Sequence, residues 1–281
     1  MSAETDLTAA SSDWGKTGFD EIYDCPDPST YFTTLQPLGY QIPHHGQAVF
    51  RTLAEALRTR GPERVPPAVV DLCCSYGINA ALLNHEVTLD DLYARYTAPR
   101  AAAEDRAFFA ARRRPDAARV TGVDVASRAV AYADGAGLLD GAFAENLETG
   151  DPSPALRAAL AATDLVTVTG GIGYIFTRTF ARLLACTARP PWIAAFVLRT
   201  VPYGPIADLL AEAGLVTERL PDRTFRQRRF SDATERRAAF DALAERGLGT
   251  AGKEDDGYYH ADLYVSRPPA EVTELPLTAL L

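Results

Sequence analysis

The sequence of 281 residues lacks a long apolar run, an excess of positive charge and a cysteine pattern typical of a metal site. No run approaches the ~20 apolar residues that a membrane-spanning helix needs, and the N-terminus has no signal-peptide core. The net charge of −9 argues against nonspecific binding to nucleic acid or to anionic membranes. The four cysteines are Cys25, Cys73, Cys74 and Cys186, and their spacing does not suggest zinc ligation. We therefore expect a cytoplasmic protein without a bound metal.

The length suits one large α/β domain with additions. Residues 1–45 form a polar start, expected to be disordered to about Ser12, and then a segment rich in aromatic residues and interrupted by prolines. Such a segment cannot form a long helix but is too apolar to remain in water, so it is predicted to pack as a cap. The main domain is predicted at residues 46–266, with a helical insertion at 84–118. Residues 267–281 are expected to be a loose tail.

Strands and helices alternate along the main domain. Strands are predicted at Val69–Leu72, Val120–Asp124, Gly141–Leu147, Asp164–Thr169, Trp192–Leu198, Leu215–Leu220 and Tyr258–Ser266. Helices are predicted at Gln47–Arg58, Ile78–Leu83, Leu89–Tyr96, Arg100–Arg114, Ser127–Ala136, Ser153–Ala161, Ile175–Thr187 and Ile206–Ala213, and one capped by Ser231 through Glu245. This order predicts a Rossmann-like, doubly wound, mainly parallel sheet of seven strands flanked by helices.

The stretch Val69–Ala81, V-V-D-L-C-C-S-Y-G-I-N-A-A, organises the predicted site. It reads as a strand, a tight loop and the start of a helix, which is the first βα turn of a doubly wound fold. Ligands of such folds bind outside the carboxyl ends of the strands. The dinucleotide motif G-x-G-x-x-G, with an acidic residue about 20 positions later, is absent, which disfavours an NAD-dependent oxidoreductase.

Polar residues at the predicted strand ends are the candidate ligand contacts. Asp124 could accept both hydroxyls of a ribose, or it could cap the helix that begins near Ser127. Asn146 could bind an adenine edge through its amide, or it could form a turn. Asp71, inside the end of the first strand, could accept from loop amides or from a ligand ammonium group.

Four ordered motifs resemble those of class I S-adenosylmethionine (SAM)-dependent methyltransferases. They are D-L-C-C-S-Y-G, V-T-G-V-D-V-A-S-R-A-V, A-E-N-L-E and D-L-V-T-V-T-G-G-I-G-Y-I, within residues 46–266. The resemblance implies the corresponding fold, SAM as cofactor, no metal, and a small-molecule substrate. It also implies cofactor contacts from ten residues: Asp71, Cys73, Ser75, Gly77, Asp124, Val125, Asn146, Leu147, Thr169 and Gly170.

The first motif departs from the usual spelling D-L-G-C-G-T-G. Cys73 and Ser75 place side chains where the backbone of the family approaches the cofactor. The Ser75 hydroxyl could compensate by a hydrogen bond to the methionine carboxylate, and Tyr76 by packing on it. The alternative is a decayed domain that no longer binds SAM.

Candidate catalytic residues are Trp14, Tyr174 and His45. The rings of Trp14 and Tyr174 could hold a sulfonium by cation–π attraction, although ordinary packing is an alternative for each. Tyr31, Tyr40 and Tyr203 could line the same pocket. His45 could deprotonate an acceptor, or the pair His44-His45 could cap the following helix.

Three functions remain open from the sequence. The first is methyl transfer to a small metabolite, in specialised metabolism, by a monomer or a homodimer. The second is cyclisation of SAM to azetidine-2-carboxylate with release of methylthioadenosine, as in the azetidine-2-carboxylate synthases that resemble methyltransferases. The third is a binding protein on a degenerate methyltransferase fold.

Overall fold

The computed structural model describes residues 20–60, 65–99 and 104–281. Its centre is an eight-stranded sheet. The strands are β1 (Ala68–Leu72), β2 (Arg119–Asp124), β3 (Gly141–Ala144), β4 (Leu165–Thr169), β5 (Trp192–Leu198), β6 (Val216–Arg219), β7 (Phe225–Arg229) and β8 (Tyr258–Arg267). The expected disordered start up to about Ser12 and the candidate catalytic residue Trp14 lie outside the described residues.

The strand order confirms the predicted mainly parallel sheet. Seven strands follow one path, β3-β2-β1-β4-β5-β8-β6, in which the first five are parallel and β8 is antiparallel to both of its neighbours. The strand order switches at β1, which has β2 on one side and β4 on the other. The carboxyl ends of β1, β2 and β4 therefore meet where a doubly wound fold binds its ligand.

The sequence did not predict strand β7. It pairs with the N-terminal half of β8, beside β6, which pairs with the C-terminal half. The composition F-R-Q-R-R of β7 hides the apolar alternation that identifies a half-buried strand. Its other edge bonds to the chain before the second helix, because Gln41 N donates to Gln227 O at 2.7 Å and Arg229 N donates to Leu38 O at 2.7 Å.

Helices cover both faces of the sheet. They are α1 (Ser29–Leu35), α2 (Ile42–Arg60), α3 (Ile78–Asn84), α4 (Leu89–Thr97), α5 (Asp105–Ala110), α6 (Ser127–Gly135), α7 (Pro154–Leu160), α8 (Thr177–Leu184), α9 (Gly204–Glu212), α10 (Ala233–Glu245), α11 (Pro269–Glu274) and α12 (Leu277–Leu280). Because both faces are covered, the central strands β1 and β4 are buried over most of their length, and β5 is buried along its whole length. Among the described residues, none of the helices is long and apolar enough to cross a membrane.

Several predicted boundaries differ from the structure. Helix α2 begins at Ile42 instead of Gln47, so the two adjacent histidines lie in its first turn. Helix α10 is capped by Asp232, not by Ser231, since the Asp232 carboxylate accepts from two backbone amides. Strand β3 ends at Ala144, before the predicted Leu147.

The tail expected to be loose instead packs on the domain. Helices α11 and α12 contain most of it, and Leu277, the first residue of α12, is buried. Leu277 N donates to the Glu218 carboxylate of β6 at 3.0 Å, and Trp192 of β5 donates its indole N–H to Glu271. These short helices have no periodic apolar pattern, and the individual contacts above hold them on the domain.

Aromatic residues join the cap, here residues 20–41, to the helical insertion. The ring of Phe32 in α1 stacks on Tyr96 of α4, with centroids 4.9 Å apart. The Tyr93 hydroxyl of α4 donates to Tyr40 O at 2.7 Å. The helical insertion therefore packs on the cap, which explains why both segments are rich in aromatic residues.

The cap is also bonded to the β1–α3 loop through Tyr76. This residue is fully buried, and its hydroxyl accepts from Cys25 N at 2.8 Å and donates to Ile22 O at 2.9 Å. Its ring lies edge-on to Tyr31 and Tyr132, each with centroids 5.9 Å apart. One side chain therefore connects the loop at the centre of the fold to the cap.

Replacing Tyr76 with Phe should destabilise the fold. The change leaves the Cys25 amide and the Ile22 carbonyl without their partner, which costs about 1–3 kcal/mol for groups withdrawn from water. Urea denaturation followed by circular dichroism would measure the loss. Tyr264→Phe is the matched control, because within the described residues the Tyr264 hydroxyl bonds to nothing, although its ring stacks on Tyr203. Equal free energies of unfolding for the two variants would contradict the assignment.

Candidate functional site

A cavity of about 490 Å³ lies at the carboxyl ends of the parallel strands. Its walls come from the ends of β1 to β4, from the cap, and from β7. Its lining includes Tyr23, Asp24, Tyr31, Tyr40, Cys73, Ser75, Asn79, Asp124, Val125, Glu145, Asn146, Leu147, Thr169, Gly170, Tyr174 and Gln227. The structure therefore brings together most of the residues that the sequence proposed as ligand contacts.

The β1–α3 loop adopts a backbone that normally favours glycine. Cys73, Ser75 and Gly77 all have left-handed φ values, of 56°, 48° and 74°. For a residue with a Cβ atom this conformation costs roughly 1–2 kcal/mol. The loop thus keeps the backbone of a glycine-rich turn although two of its three left-handed positions carry side chains.

Neighbouring groups hold this strained loop in place. Ser75 N donates to Asp124 Oδ2 at 2.8 Å, and Gly77 N closes a turn onto Cys74 O at 2.9 Å. The Cys73 side chain fits only because residue 171 is glycine, since a Cβ there would lie 2.8 Å from Cys73 Sγ. Burial raises the pKa of the Cys73 thiol well above its ordinary value, which disfavours a thiolate.

Gly77 does not line the cavity. Its α-carbon faces α6 and the loop that follows, and a Cβ there would lie 3.1 Å from Ala133 and 3.2 Å from Leu138. Tyr76 also points away from the cavity, into the cap, so the expectation that its ring packs on a cofactor carboxylate is wrong.

Asp124 joins the ends of β1 and β2. One carboxylate oxygen accepts from Ser75 N, and the other accepts from Ala126 N at 2.9 Å. The residue at the N-cap of α6 is Ala126, so Asp124 stabilises the turn before the helix instead of capping it directly. Burial raises its pKa, while the amide donors lower it. Each carboxylate oxygen keeps a second lone pair for a ligand hydroxyl.

The β3 end supplies Asn146 and Leu147. Asn146 Oδ1 accepts from Glu148 N at 2.9 Å and from Thr149 N at 3.2 Å, so its carbonyl forms the turn that the sequence left open as an alternative. Its amide nitrogen is not used in that turn. Leu147 is buried, whereas Val125, after β2, is 65% exposed at the cavity mouth.

Asp71 lies behind the cavity wall. Its Oδ1 accepts from Asn79 Nδ2 at 2.9 Å and from Thr167 Oγ1 at 2.7 Å, and Oδ2 has no partner within the described part of the chain. Burial raises the pKa of Asp71 from 3.8 to about 7, although the two hydrogen bonds lower it. Asn79 also donates to Thr169 Oγ1 at 3.0 Å, which connects Asp71 to the end of β4.

Tyrosines form the opposite wall. Tyr23, Tyr31 and Tyr40 come from the cap, and Tyr174 follows the turn Gly170–Gly173. Burial raises the pKa of Tyr40 to about 12, so its hydroxyl stays protonated near neutral pH. Tyr174 is 44% exposed, although it lies at the cavity. Tyr203, a weaker candidate, is buried elsewhere, beside Tyr264.

The structure does not bring His45 to this cavity. His45 lies against Phe225, with ring centroids 5.4 Å apart, and lines a separate cavity between α2 and the C-terminal residues. Burial, together with the charges of His44 and nearby arginines, lowers its pKa to about 4. The described lining of the main cavity contains no histidine, lysine or arginine. The same parts of the chain contain no group of three or more His, Cys, Asp or Glu residues that could hold a metal.

Gln227 is a site residue that the sequence reasoning missed. It comes from β7, is 1% exposed and lines the cavity, and its Oε1 has no hydrogen-bond partner among the described residues. The signal that could have found it is the alternation of Phe225 and Gln227, which places both on one face of a strand.

Three solved structures illustrate what this fold resembles. The magnesium protoporphyrin IX methyltransferase from Synechocystis with bound SAM is 16% identical, with a TM-score of 0.40, covering 95% of this chain and 99% of that chain. The plantazolicin methyltransferase BamL, in complex with a triazolic desmethylPZN analog and SAH, is 11% identical, with a TM-score of 0.47, covering 93% and 95%. The O-methyltransferase of a trans-AT PKS multienzyme of Brevibacillus brevis, in complex with S-adenosyl-L-homocysteine, is 11% identical, with a TM-score of 0.38, covering 78% and 72%.

No family model matches this chain, and no curated protein matches it. The three structural neighbours are methyltransferases, but identities of 11–16% and TM-scores below 0.5 are too low to assign a function. The functional argument therefore rests on the cavity itself.

Proposed function

We propose that this chain is a SAM-dependent methyltransferase acting on a small metabolite. The observation that carries the proposal is the cavity at the carboxyl ends of β1, β2 and β4, bordered by buried polar atoms without partners in the described chain. Such atoms are rare because each costs about 1–3 kcal/mol, and they are expected where a ligand completes the hydrogen bonding.

The residues present fit SAM. Asp124 suits a ribose diol, and the apolar side chains of Val125 and Leu147 suit the faces of an adenine, with the Asn146 amide nitrogen available to a base edge. The unpartnered Ser75 Oγ suits a carboxylate, and the unpartnered Asp71 Oδ2 suits an ammonium group.

The charge of the site supports a cationic ligand. Asp24, Asp124 and Glu145 line the cavity, and no positively charged side chain lines it within the described chain. Aromatic faces add cation–π attraction of about 0.5–2 kcal/mol, and Tyr174 is placed to provide it.

SAM supplies the methyl group on an activated sulfonium, so the protein mainly binds, orients and excludes water. The cap performs the last of these tasks, since Tyr23, Tyr31 and Tyr40 close one side of the cavity. Without a histidine or lysine at the described walls, the site favours an acceptor that is nucleophilic without strong base catalysis.

Cyclisation of SAM is the second candidate. In that reaction the ammonium loses a proton, its nitrogen bonds to the carbon next to sulfur, and the carbon–sulfur bond breaks to release methylthioadenosine. Asp71 favours this reading from its place behind the cavity wall, because its Oδ2 has no partner among the described residues and its pKa of about 7 suits a proton acceptor.

The product formed from SAM alone separates the two reactions. Purified protein incubated with SAM should form no product without an acceptor, and S-adenosylhomocysteine (SAH) should form when a metabolite extract is added. Mass spectrometry would detect either product. Methylthioadenosine in the absence of an acceptor would favour cyclisation. If calorimetry detects no binding of SAM or SAH, both enzymatic reactions are excluded.

Replacing Asp124 with Asn should weaken SAH binding about ten- to a hundred-fold. The loss corresponds to a charge-assisted hydrogen bond, worth about 1.5–3 kcal/mol. Titration calorimetry measures it. Asp140→Asn is the matched control, since Asp140 likewise accepts from a backbone amide, Val120 N at 2.8 Å, but lies near the opposite ends of the strands. An unchanged affinity in Asp124→Asn would remove the ribose assignment.

Asp71 predicts a pH dependence of both stability and binding. Between pH values of about 4 and 7 the folded protein keeps a proton on Asp71 that the unfolded chain has lost, so ligand-free stability falls as pH rises. Binding of SAH should strengthen over about pH 6–8, as the carboxylate ionises and attracts the ammonium. Asp71→Asn should flatten both trends, as measured by urea denaturation and calorimetry. Parallel pH profiles in parent and variant would contradict this role.

A further inference from the structure

Strand β7 holds Gln227 rigidly between the sheet and the cap. The strand pairs with β8 on both sides of Gln227, at Arg226 and at Arg229, with an irregular register between them. On the other edge Gln227 O accepts from Gln41 N. The neighbouring Arg228 is buried and binds the Glu235 carboxylate of α10 through both terminal nitrogens, at 2.6 and 2.9 Å. The backbone at this position is therefore held by the flanking strand pairs, by Gln41 and by a buried ion pair.

Gln227 lines the cavity, and its side-chain amide carries an acceptor that is unused within the described chain. Its Oε1 is buried and has no hydrogen-bond partner in the described chain, although Gln227 lines the cavity. Its Nε2 lies 3.1 Å from the position that a Cβ atom would occupy at Gly170, and the Tyr40 hydroxyl lies 3.7 Å from that position. The Gln227 amide, the Tyr40 hydroxyl and the backbone of Gly170 thus meet at one end of the cavity.

This end lies apart from the residues assigned to the nucleoside. Asp124, Val125 and Asn146 follow β2 and β3, whereas Gln227 enters from β7 on the far side of β4 and β5 in the sheet order. A ligand group bound beside Gln227 would therefore be separated by the end of β4 from the residues assigned to the adenine. We call this region, defined by Tyr40, Gly170, Tyr174 and Gln227, the amide end of the cavity.

The charges around the amide end select against an anion. The nearest buried cation, Arg228, is bound by Glu235, and the described cavity lining carries carboxylates but no positive side chain. A carboxylate or phosphate bound beside Gln227 Oε1 would face a second acceptor and lose its hydration. An N–H group would satisfy that acceptor, and the tyrosine faces would attract its positive charge.

We propose that the amide end binds the second substrate as an amine, whose N–H group donates to Gln227 Oε1. The proposal rests on the proposed function, because a SAM nucleoside bound beside Asp124 and Asn146 leaves this end of the cavity to the second substrate. It assigns Gln227 as a specificity-determining residue and amines as the substrate class.

Two probes with the same phenol ring test the charge preference. Tyramine carries an ammonium group, and 4-hydroxyphenylacetate carries a carboxylate. Their binding to protein saturated with SAH can be followed by ligand-observed nuclear magnetic resonance. Tyramine should bind at least about ten-fold more tightly, as expected for a charge-assisted hydrogen bond.

The variants assign the preference to Gln227. Gln227→Leu should weaken tyramine binding about ten-fold or more, and Gln227→Glu should strengthen it. Gln41→Leu is the matched control, because Gln41 pairs with the same strand but does not line the cavity. It should change tyramine binding by less than about two-fold. Circular dichroism and thermal melting establish that each variant is folded.

The outcomes separate this proposal from the proposed function. If SAH does not bind the parent protein, the proposed function fails. If SAH binds but tyramine does not bind in the millimolar range, or binds no better than 4-hydroxyphenylacetate, the amine assignment is overturned. If Gln227→Leu weakens SAH binding as much as tyramine binding, Gln227 contacts the cofactor instead of a second substrate. That result also overturns the proposal.

Discussion

The turn between β1 and α3 is the constraint on which the rest of the site depends. It needs three left-handed residues in five positions, and only Gly77 adopts that conformation without steric cost. The Asp124 carboxylate holds the turn from the β2 side, and the Tyr76 hydroxyl holds it from the cap. Because both bonds converge on one loop, the position of the cap, the end of β2 and the shape of the cavity are fixed together.

Much of the fold, and several residues of the cavity wall, could be predicted from the sequence. Alternating apolar strands and amphipathic helices predicted the parallel sheet, and polar residues at strand ends predicted the cavity wall that contains Ser75 and Asp124. Strand β7 could not be predicted, because its Arg228 is buried by ion pairing and hydrogen bonding, which periodicity does not report. The direction of Tyr76 and the separation of His45 from the cavity depend on tertiary packing. No local sequence signal encodes either.

The site is built from groups that are individually unfavourable. Each of three features would lower the stability of a domain. They are a buried carboxyl with a raised pKa, two residues other than glycine with left-handed backbone φ values, and several polar atoms without partners in the described chain. The aromatic packing of Phe32 on Tyr96, and of Tyr31 on Tyr76, lies directly behind them. Edge-to-face and stacked rings contribute about 0.5–1.5 kcal/mol per pair beyond their burial. The cap and the insertion therefore stabilise the region that carries the destabilising groups.

The bonding of Leu38 and Gln41 to β7 has a consequence for self-association. A strand with an unpaired edge offers a row of amide and carbonyl groups to any other extended chain. Here the segment that leads out of the cap occupies that edge through two backbone hydrogen bonds. The segment that carries Tyr40 to the cavity wall thus prevents another copy of the chain from adding to the sheet at β7, so the placement of the cap also protects the protein from aggregation at this strand.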